Sequence, residues 1–193
     1  MMKKITKLLT VAGIAAASLV SVARAQSVTP ANKWRFGIGV EGFAPTGNLH
    51  NISNAGIGGT ARIQYGVNQN VALMLTSGYY NAFGKNASYA YANPNGTVTG
   101  NYKYPSVGIV PVKAGIKGYI ADGFYLSGEV GAGFETKDIY ANPDGSKDTK
   151  LILAPGLGYS FKSVDIGARY ENFSGQNNNY GFVGLRIAYG FGI

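Results

Sequence analysis

The final segment of the chain, residues 180–193, constrains the fold most strongly. It reads YGFVGLRIAYGFGI, in which large apolar residues alternate with small ones. Strict alternation is typical of a β-strand with two different faces. The face of small residues carries one charge, Arg186, whereas the other face is apolar throughout and includes Leu185 and Ile187. This distribution is typical of a strand with lipid outside and a narrow polar lumen inside, so it predicts a membrane β-barrel.

The first residues of the chain have the parts of a cleaved export signal. Lysines precede an apolar run over residues 8–22, and the small-x-small site Ala-Arg-Ala follows at residues 23–25. The alternative is a retained anchor, but the apolar run is short for a spanning helix, which needs about 20 residues. We therefore expect a signal peptide over residues 1–25 and a single barrel domain over residues 26–193.

Charge and cysteine content exclude several classes of function. The net charge of the whole chain is +8, and it falls to +4 once the four basic residues of the predicted leader are removed. The remaining basic residues form no run, which argues against nucleic-acid binding. There is no cysteine, so disulfides and thiol chemistry are excluded. After the leader no apolar run is long enough for a helical span, which leaves a closed barrel as the membrane fold.

Seven more alternating segments precede the final one. They lie at about residues 33–45, 56–67, 71–83, 102–120, 124–135, 149–161 and 164–171. The predicted connections alternate long and short: 44–56, 68–70, 84–101, 121–123, 136–148, 162–163 and 172–179. The pattern predicts an all-β fold, an eight-stranded antiparallel up-and-down transmembrane β-barrel. Short turns and both ends of the barrel would lie in the periplasm, and longer loops outside.

The charged residues of these segments fall on the face that is predicted to point inward. They are Arg35, Glu41, Arg62, Lys113, Lys117, Glu129, Glu135, Asp165, Arg169, Glu171 and Arg186. The interior of an eight-stranded barrel is only wide enough for side chains, and enclosed charges need partners. We therefore predict an ion-pair network that fills the lumen; the alternative is that these charges line a narrow solute path.

The hairpin turns suggest some of the pairs in this network. The turn at residues 121–123 should place Glu129 opposite Gly115, with Lys113 and Lys117 as its diagonal neighbours. The turn at residues 162–163 should place Arg169 beside Gly156, which leaves room for the guanidinium. No partner for Arg186 can be identified from the sequence.

Two further patterns concern the prolines and the aromatic residues. Pro105, Pro111 and Pro155 lie inside predicted strands, where each removes a ladder donor and favours a bulge or a slip in register. The aromatic residues are predicted to form girdles at the two membrane interfaces. One girdle would contain Trp34, Phe124 and Phe161, and the other Phe43, Tyr79, Phe83, Phe134 and Phe173.

The predicted loops offer little for catalysis or metal binding. Residues 91–96 and 140–145 repeat a Tyr-Ala-Asn-Pro-(Asn/Asp)-Gly tip, which is typical of a type I turn or, alternatively, of a repeated ligand-binding element. Asn142, Asp144 and Asp148 lack the ligand spacing and terminal Glu of an EF-hand. The lone histidine, His50, has no orienting carboxylate close in sequence. We therefore predict no catalytic, cofactor-binding or metal-binding residue.

Two segments resemble those of a known family. Residues 109–119, IVPVKAGIKGY, are similar to the (I/V)P-x-x-x-G-x-K-Y-type strand of small outer-membrane barrels. The final strand resembles the β-signal read by the barrel-assembly machinery, although that signal usually ends in Phe, whereas here Ile193 follows Phe191 by two positions. The chain thus resembles the small outer-membrane β-barrel family, the OmpA/OmpX-like "porin family" proteins of Gram-negative bacteria.

The resemblance implies a location and a set of partners. The location is the outer membrane, and the partners are its lipid and lipopolysaccharide, the barrel-assembly machinery during insertion, and an unidentified surface ligand held by the loops. The expected function is a non-enzymatic one in envelope integrity, adhesion or surface binding. The alternatives are a narrow pore and, as a third possibility, a lipid A-modifying enzyme.

Overall fold

The alternating segments form ten strands and one short helix within the described part of the chain. The computed structural model describes residues 29–94, 96–136, 147–175 and 178–192. The elements are β1 (Trp34–Gly47), α1 (Asn48–Ile52), β2 (Ser53–Gly66), β3 (Val71–Gly84), β4 (Asn86–Asn93), β5 (Gly96–Lys103), β6 (Val107–Tyr119), β7 (Phe124–Glu135), β8 (Thr149–Phe161), β9 (Val164–Gly175) and β10 (Tyr180–Gly192). The predicted signal peptide and the second repeated loop tip, at residues 140–145, lie outside the described residues.

Eight of the strands form a closed antiparallel barrel. Their order is β1-β10-β9-β8-β7-β6-β3-β2, and β4 pairs with β5 in a separate two-stranded sheet. The barrel closes between β1 and β10, which pair from Arg35 opposite Gly192 to Gly47 opposite Tyr180. The predicted fold class and the predicted closure of the last strand against the first are therefore confirmed. In the described residues no helix has both the length and the apolar character needed to cross a membrane.

The two faces of the barrel wall differ as the alternation predicts. Large apolar side chains cover the outside, and Val40 and Leu185 are 68% and 63% exposed there. By contrast, every charged side chain of the eight barrel strands is buried in the interior. The inward assignment of the charged residues is therefore confirmed.

The two ends of the barrel are built differently. Residues 67–70, 120–123 and 162–163 connect the strands at one end, which we call the turn end. At the other end, which we call the hairpin end, the connections are α1, the β4–β5 hairpin and residues 136–148 and 176–179. β1 begins and β10 ends at the turn end.

Two of the predicted long loops are shorter than expected. Instead of a loop over residues 44–56, β1 continues to Gly47 and only the five-residue helix α1 separates it from β2. Similarly, β9 continues to Gly175, well into the predicted loop over residues 172–179. β9 extends because its inward Phe173 still has partners in the interior.

The long loop predicted over residues 84–101 is wrong, because most of it forms the β4–β5 hairpin. Asn86 pairs with Lys103 and Asn93 with Gly96, around the repeated turn sequence. The tyrosines of β4 alternate with Ser and Ala, a short strand pattern that the abundance of polar residues concealed. The predicted fourth strand also starts later than expected, at Val107.

The prolines do not shift the register, contrary to the prediction. Pro105 lies between β5 and β6, outside any strand. Pro111 pairs with Gly133 of β7 and interrupts only the ladder to β3, which keeps one register on both sides of the gap. Pro155 likewise pairs with β7 and interrupts only the ladder to β9. Each proline removes only one N–H donor, so its strand keeps its hydrogen bonds to the neighbour on the other side. The irregularity in register lies between Ser53 and Ala55.

The predicted aromatic girdles need one correction. Trp34, Tyr79, Phe83, Phe124, Phe134 and Phe161 are exposed on the outer face, as predicted. Phe43 and Phe173 are instead buried inside the barrel. Residues two apart in a strand share one face. Phe43 lies two residues after the inward Glu41, and Phe173 lies two residues after the inward Glu171.

The close approach of β6 and β7 can be tested at Gly131. A Cβ atom added there would lie 2.0 Å from the Val112 carbonyl oxygen and 2.6 Å from the Lys113 Cα. Because both atoms belong to the backbone, we expect Gly131→Ala to lower the free energy of unfolding by about 1–3 kcal/mol. The measurement is urea unfolding of the barrel in detergent micelles. Gly128→Ala in the same strand is the control, because a Cβ there meets nothing within 4 Å. Equal midpoints for the two variants would contradict the prediction.

Candidate functional site

The middle of the lumen holds a cluster of buried charges from six strands. Its carboxylates are Glu41, Glu129, Asp165 and Glu171, and its cations are Arg62, Lys113, Lys117, Arg169 and Arg186. We call this set the lumen cluster. All of its members were identified as candidate site residues from the sequence.

One half of the lumen cluster is centred on Glu171. Its Oε1 accepts hydrogen bonds from Lys113 Nζ, from Arg169 Nε and, at 3.1 Å, from the Tyr80 hydroxyl. The Tyr80 oxygen in turn accepts from Lys113 Nζ at 3.1 Å and from Arg169 Nη2 at 2.9 Å. Arg169 Nη2 also donates to Glu41. Tyr80 is fully buried and was not predicted as a member of the site, since an inward tyrosine gives no signal of which charges it will meet.

Glu129 connects this half to the opposite wall. Its carboxylate accepts hydrogen bonds from Arg62 Nη2 at 3.1 Å and from the Thr76 hydroxyl at 2.6 Å, and Lys113 Nζ lies 3.8 Å away. The expected register, Glu129 opposite Gly115, is present. The register of Arg169 opposite Gly156 is present as well.

Lys117 does not pair with Glu129, contrary to expectation. Its Nζ lies 2.5 Å from Asp165 Oδ2 and 3.8 Å from the centre of the Tyr125 ring. Asp165 also accepts hydrogen bonds from the Tyr125 hydroxyl at 2.9 Å and from the Ser160 hydroxyl at 2.6 Å. Ser160 lies on the adjacent strand β8, but Tyr125 and Lys117 lie on β7 and β6, two and three strands away. Pairing along the wall could not predict these longer contacts.

The structure identifies the partners of Arg186. Its Nε donates to the Thr60 hydroxyl at 3.0 Å and lies 3.5 Å from Glu41 Oε1, and its Nη1 lies 3.7 Å from Asp165 Oδ1. Thr60 donates to Glu41 at 2.8 Å. Arg186 therefore joins the Glu41 and Asp165 parts of the lumen cluster, on the strand that closes the barrel.

The remaining interior charges lie towards the two ends. Arg35, the other predicted member of the network, is buried near the turn end, where it donates to the Gly190 carbonyl at 3.5 Å. Near the hairpin end, Lys150 Nζ lies 2.8 Å from Asp148 Oδ2, and the Tyr180 hydroxyl donates to Glu135 at 2.7 Å. The Lys150–Asp148 pair was missed because Asp148 lies within a predicted loop.

A cluster of aromatic rings closes the lumen at the hairpin end. Phe182 stacks on Phe43 with 4.4 Å between ring centres, and it lies 5.3 Å from Phe173. Tyr80 contacts both Phe43 and Phe182 edge to face. Leu49 of α1 is fully buried in the same cluster. We call these residues the aromatic plug, and its helical part was not predicted because residues 48–52 read as a loop.

The middle of the lumen is filled by its own side chains. A space of about 10 Å³, bounded by residues including Arg62, Glu129 and Arg186, is about the volume of one water molecule. The charges described above bind one another, so the arrangement cross-links the barrel wall.

His50, the residue considered for catalysis, lies apart from the lumen cluster. Asn142 and Asp144, which were considered for metal binding, lie outside the described residues. The side chain of His50 is exposed on α1, and its backbone carbonyl accepts a hydrogen bond from Lys85 Nζ. Within residues 29–94, 96–136, 147–175 and 178–192, no group of three His, Asp or Glu side chains could hold a metal ion.

Neutralising Glu129 should destabilise the barrel. Glu129→Gln removes a buried negative charge from beside Arg62 and Lys113, and we expect a loss of about 3 kcal/mol in the free energy of unfolding. The measurement is urea unfolding in detergent micelles. Asp122→Asn in the exposed turn before β7 is the control and should leave the unfolding midpoint unchanged. An unchanged midpoint for Glu129→Gln would show that the lumen cluster does not stabilise the barrel.

No protein-family model matches the chain, and no curated protein matches its sequence. Solved structures do match. The crystal structure of Ail, the attachment invasion locus protein of Yersinia pestis, aligns at a TM-score of 0.54 and 16% identity, over 83% of this chain and 99% of Ail. Ail in complex with the heparin analogue sucrose octasulfate aligns over the same shares at 0.54 and 17% identity. At this identity the likeness concerns the fold alone, and the chain therefore has the fold of the small eight-stranded outer-membrane β-barrels.

Proposed function

We propose that this protein is an integral outer-membrane protein of a Gram-negative bacterium, and that its filled barrel is a non-enzymatic scaffold for surface contacts made at the hairpin end. The observation that carries the proposal is the separation of the two faces. The outside of the barrel is apolar, and the charges of its strands are buried inside.

The apolar outer face of the barrel is stable in lipid. In water, a contiguous apolar belt around the whole barrel would far exceed the apolar patches that monomeric soluble proteins expose. In lipid the same belt is favourable, and the closed sheet has no edge of unpaired backbone groups. The absence of charged side chains from the outer face of the described barrel strands fits this environment, because Lys or Arg at the bilayer midplane costs about 2–4 kcal/mol.

The two ends of the barrel support an orientation in the membrane. Outer-membrane barrels have short turns in the periplasm and longer connections outside. The turn end would accordingly lie in the periplasm, and α1 and the β4–β5 hairpin would lie at the cell surface. In Ail the same fold occurs in complex with a heparin analogue, so a surface-binding role for the exposed elements is the hypothesis to test here.

The packing of the lumen favours a scaffold over a channel. The lumen cluster crosses the barrel, and the aromatic plug lies between it and the hairpin end. A path for solutes would have to break buried ion pairs, which is costly when one charge is left without its partner. The non-enzymatic part of the proposal is supported by His50, whose exposed ring lies on α1, outside the lumen cluster.

Membrane insertion can be tested at Leu185, which is exposed near the middle of β10. The wild-type protein should fractionate with outer membranes and migrate differently on gels before and after boiling. Leu185→Arg places a charge in the lipid-facing belt, so we expect a large drop in the heat-modifiable form. Leu185→Ala is the matched control and should insert normally. A wild-type protein that remained in the soluble fraction would refute the proposed location.

Conductance in planar bilayers separates a scaffold from a narrow pore. Because the lumen is filled, we expect purified wild-type protein to give no long-lived channel openings, and Glu129→Gln to lower stability without opening a large conductance. A water-filled porin recorded in parallel serves as the positive control. A stable variant with steady conductance, or steady openings from the wild-type protein, would support the narrow pore instead.

A further inference from the structure

The β4–β5 hairpin carries a face of exposed aromatic residues. In its ladder Tyr91 lies opposite Val98, Tyr89 opposite Gly100, and Ala87 opposite Tyr102. Directly opposed residues of an antiparallel pair share one face. Tyr89, Tyr91 and Tyr102 are 53%, 55% and 54% exposed. With Tyr104, which packs edge to face against Tyr102, they form what we call the tyrosine stripe.

The Tyr89 ring of the tyrosine stripe packs against the backbone of the hairpin. Tyr89 and Tyr91 are nearly parallel, with an interplanar angle of 11°. A Cβ atom added to Gly100 would lie 2.4 Å from the Tyr89 ring, so this ring covers the glycine backbone. The opposite face of the hairpin is polar, and there Ser88 donates to Asn101 at 2.9 Å. The hairpin is therefore amphipathic, with one face suited to stacking.

The tyrosine stripe continues the lipid-facing side of the barrel. β3 and β6 pair through Ala82 opposite Val107, and the same register continues to Asn86 opposite Lys103. Between these pairs the Tyr104 amide donates to the Lys85 carbonyl at 2.9 Å. Because side chains alternate along a strand, the stripe shares its side of the sheet with the exposed Phe83.

The charge of the hairpin favours contact with an anionic surface. Residues 85–104 contain Lys85 and Lys103 and no Asp or Glu. Tyrosine has an apolar ring and a polar hydroxyl, a combination found where membranes meet water. Its ring can pack on the C–H face of a sugar while its hydroxyl bonds sugar or phosphate oxygens. With two lysines and no carboxylate the segment attracts anionic headgroups, although Lys103 lies on the polar face and Lys85 Nζ donates to the His50 carbonyl.

We propose that the tyrosine stripe docks on the phosphorylated saccharide headgroups of the glycolipids that surround the barrel. This inference rests on the proposed function, since it needs a barrel inserted with the hairpin end facing the outer leaflet. We infer a saccharide carried by a lipid, because the tyrosine stripe is continuous with the lipid-facing side of the barrel. A free polysaccharide or a protein partner would require no such continuity.

The test uses the whole barrel in nanodiscs of two compositions, phosphatidylcholine alone and phosphatidylcholine with lipopolysaccharide. Amide hydrogen exchange is measured separately for the β4–β5 hairpin and for the barrel strands. We expect the hairpin amides to exchange about tenfold more slowly in the lipopolysaccharide discs, because docking suppresses local opening. The barrel amides should be equally protected in both discs.

Three variants make the result specific to the stripe. The triple variant Tyr89→Ser/Tyr91→Ser/Tyr102→Ser should lose the tenfold difference, whereas Thr97→Ser/Thr99→Ser on the polar face should keep it. Since serine could also loosen the hairpin, the triple Tyr→Phe variant at the same positions keeps the rings. It should retain most of the difference, which a ring-stacking contact requires.

Several outcomes would overturn the inference. Equal hairpin exchange in the two discs, or a difference that survives in the triple serine variant, would show that the stripe does not dock on glycolipid. Equal slowing by soluble phosphorylated core oligosaccharide in phosphatidylcholine discs would identify a free glycan as the ligand. In each case protected barrel amides would leave the proposed membrane barrel intact, whereas failure of the chain to insert into either disc would refute that proposal itself.

Discussion

The structure depends on the satisfaction of backbone hydrogen bonds within a single closed sheet. Each barrel strand has two neighbours, and the pairing of β10 with β1 removes the two edges that an open sheet would leave. A sheet without edges can have an apolar exterior, because no N–H or C=O group on its rim requires water. Closure with eight strands also makes the interior narrow, and this narrowness determines what the inward side chains can be.

The narrow interior explains why small residues and charges share the inward face. Glycines opposite long side chains provide the volume that those side chains occupy, as with Gly115 opposite Glu129 and Gly156 opposite Arg169. The long side chains then meet across the lumen and bind one another. Buried ion pairs give modest net stability, but breaking one is costly, so they favour one arrangement of the strands over its alternatives.

Contacts between strands joined by a short turn could be predicted from the sequence, whereas contacts across the lumen or across the barrel closure could not. Alternation identified the inward charges, and two short turns placed Glu129 opposite Gly115 and Arg169 opposite Gly156. The same reasoning paired Lys117 with Glu129 wrongly, because Lys117 reaches Asp165 on β9, three strands away. It found no partner for Arg186, because Glu41 lies opposite Arg186 across the β1–β10 closure, whose register no turn determines. Such contacts depend on the tilt and stagger of all the strands together. Leu49 and the β4–β5 hairpin were missed because short segments rich in Asn, Gly and Ser also read as loops.

The shared register of the barrel wall and the β4–β5 hairpin limits how this surface element can change in length. Inserting one cross-strand pair between Phe83 and Tyr89 would keep the hydrogen bonds but turn the tyrosines to the opposite side of the sheet. Inserting two pairs would restore their direction and move them about 7 Å farther from the barrel. The reach of the hairpin can therefore vary only in steps of two pairs if the tyrosines are to keep their side.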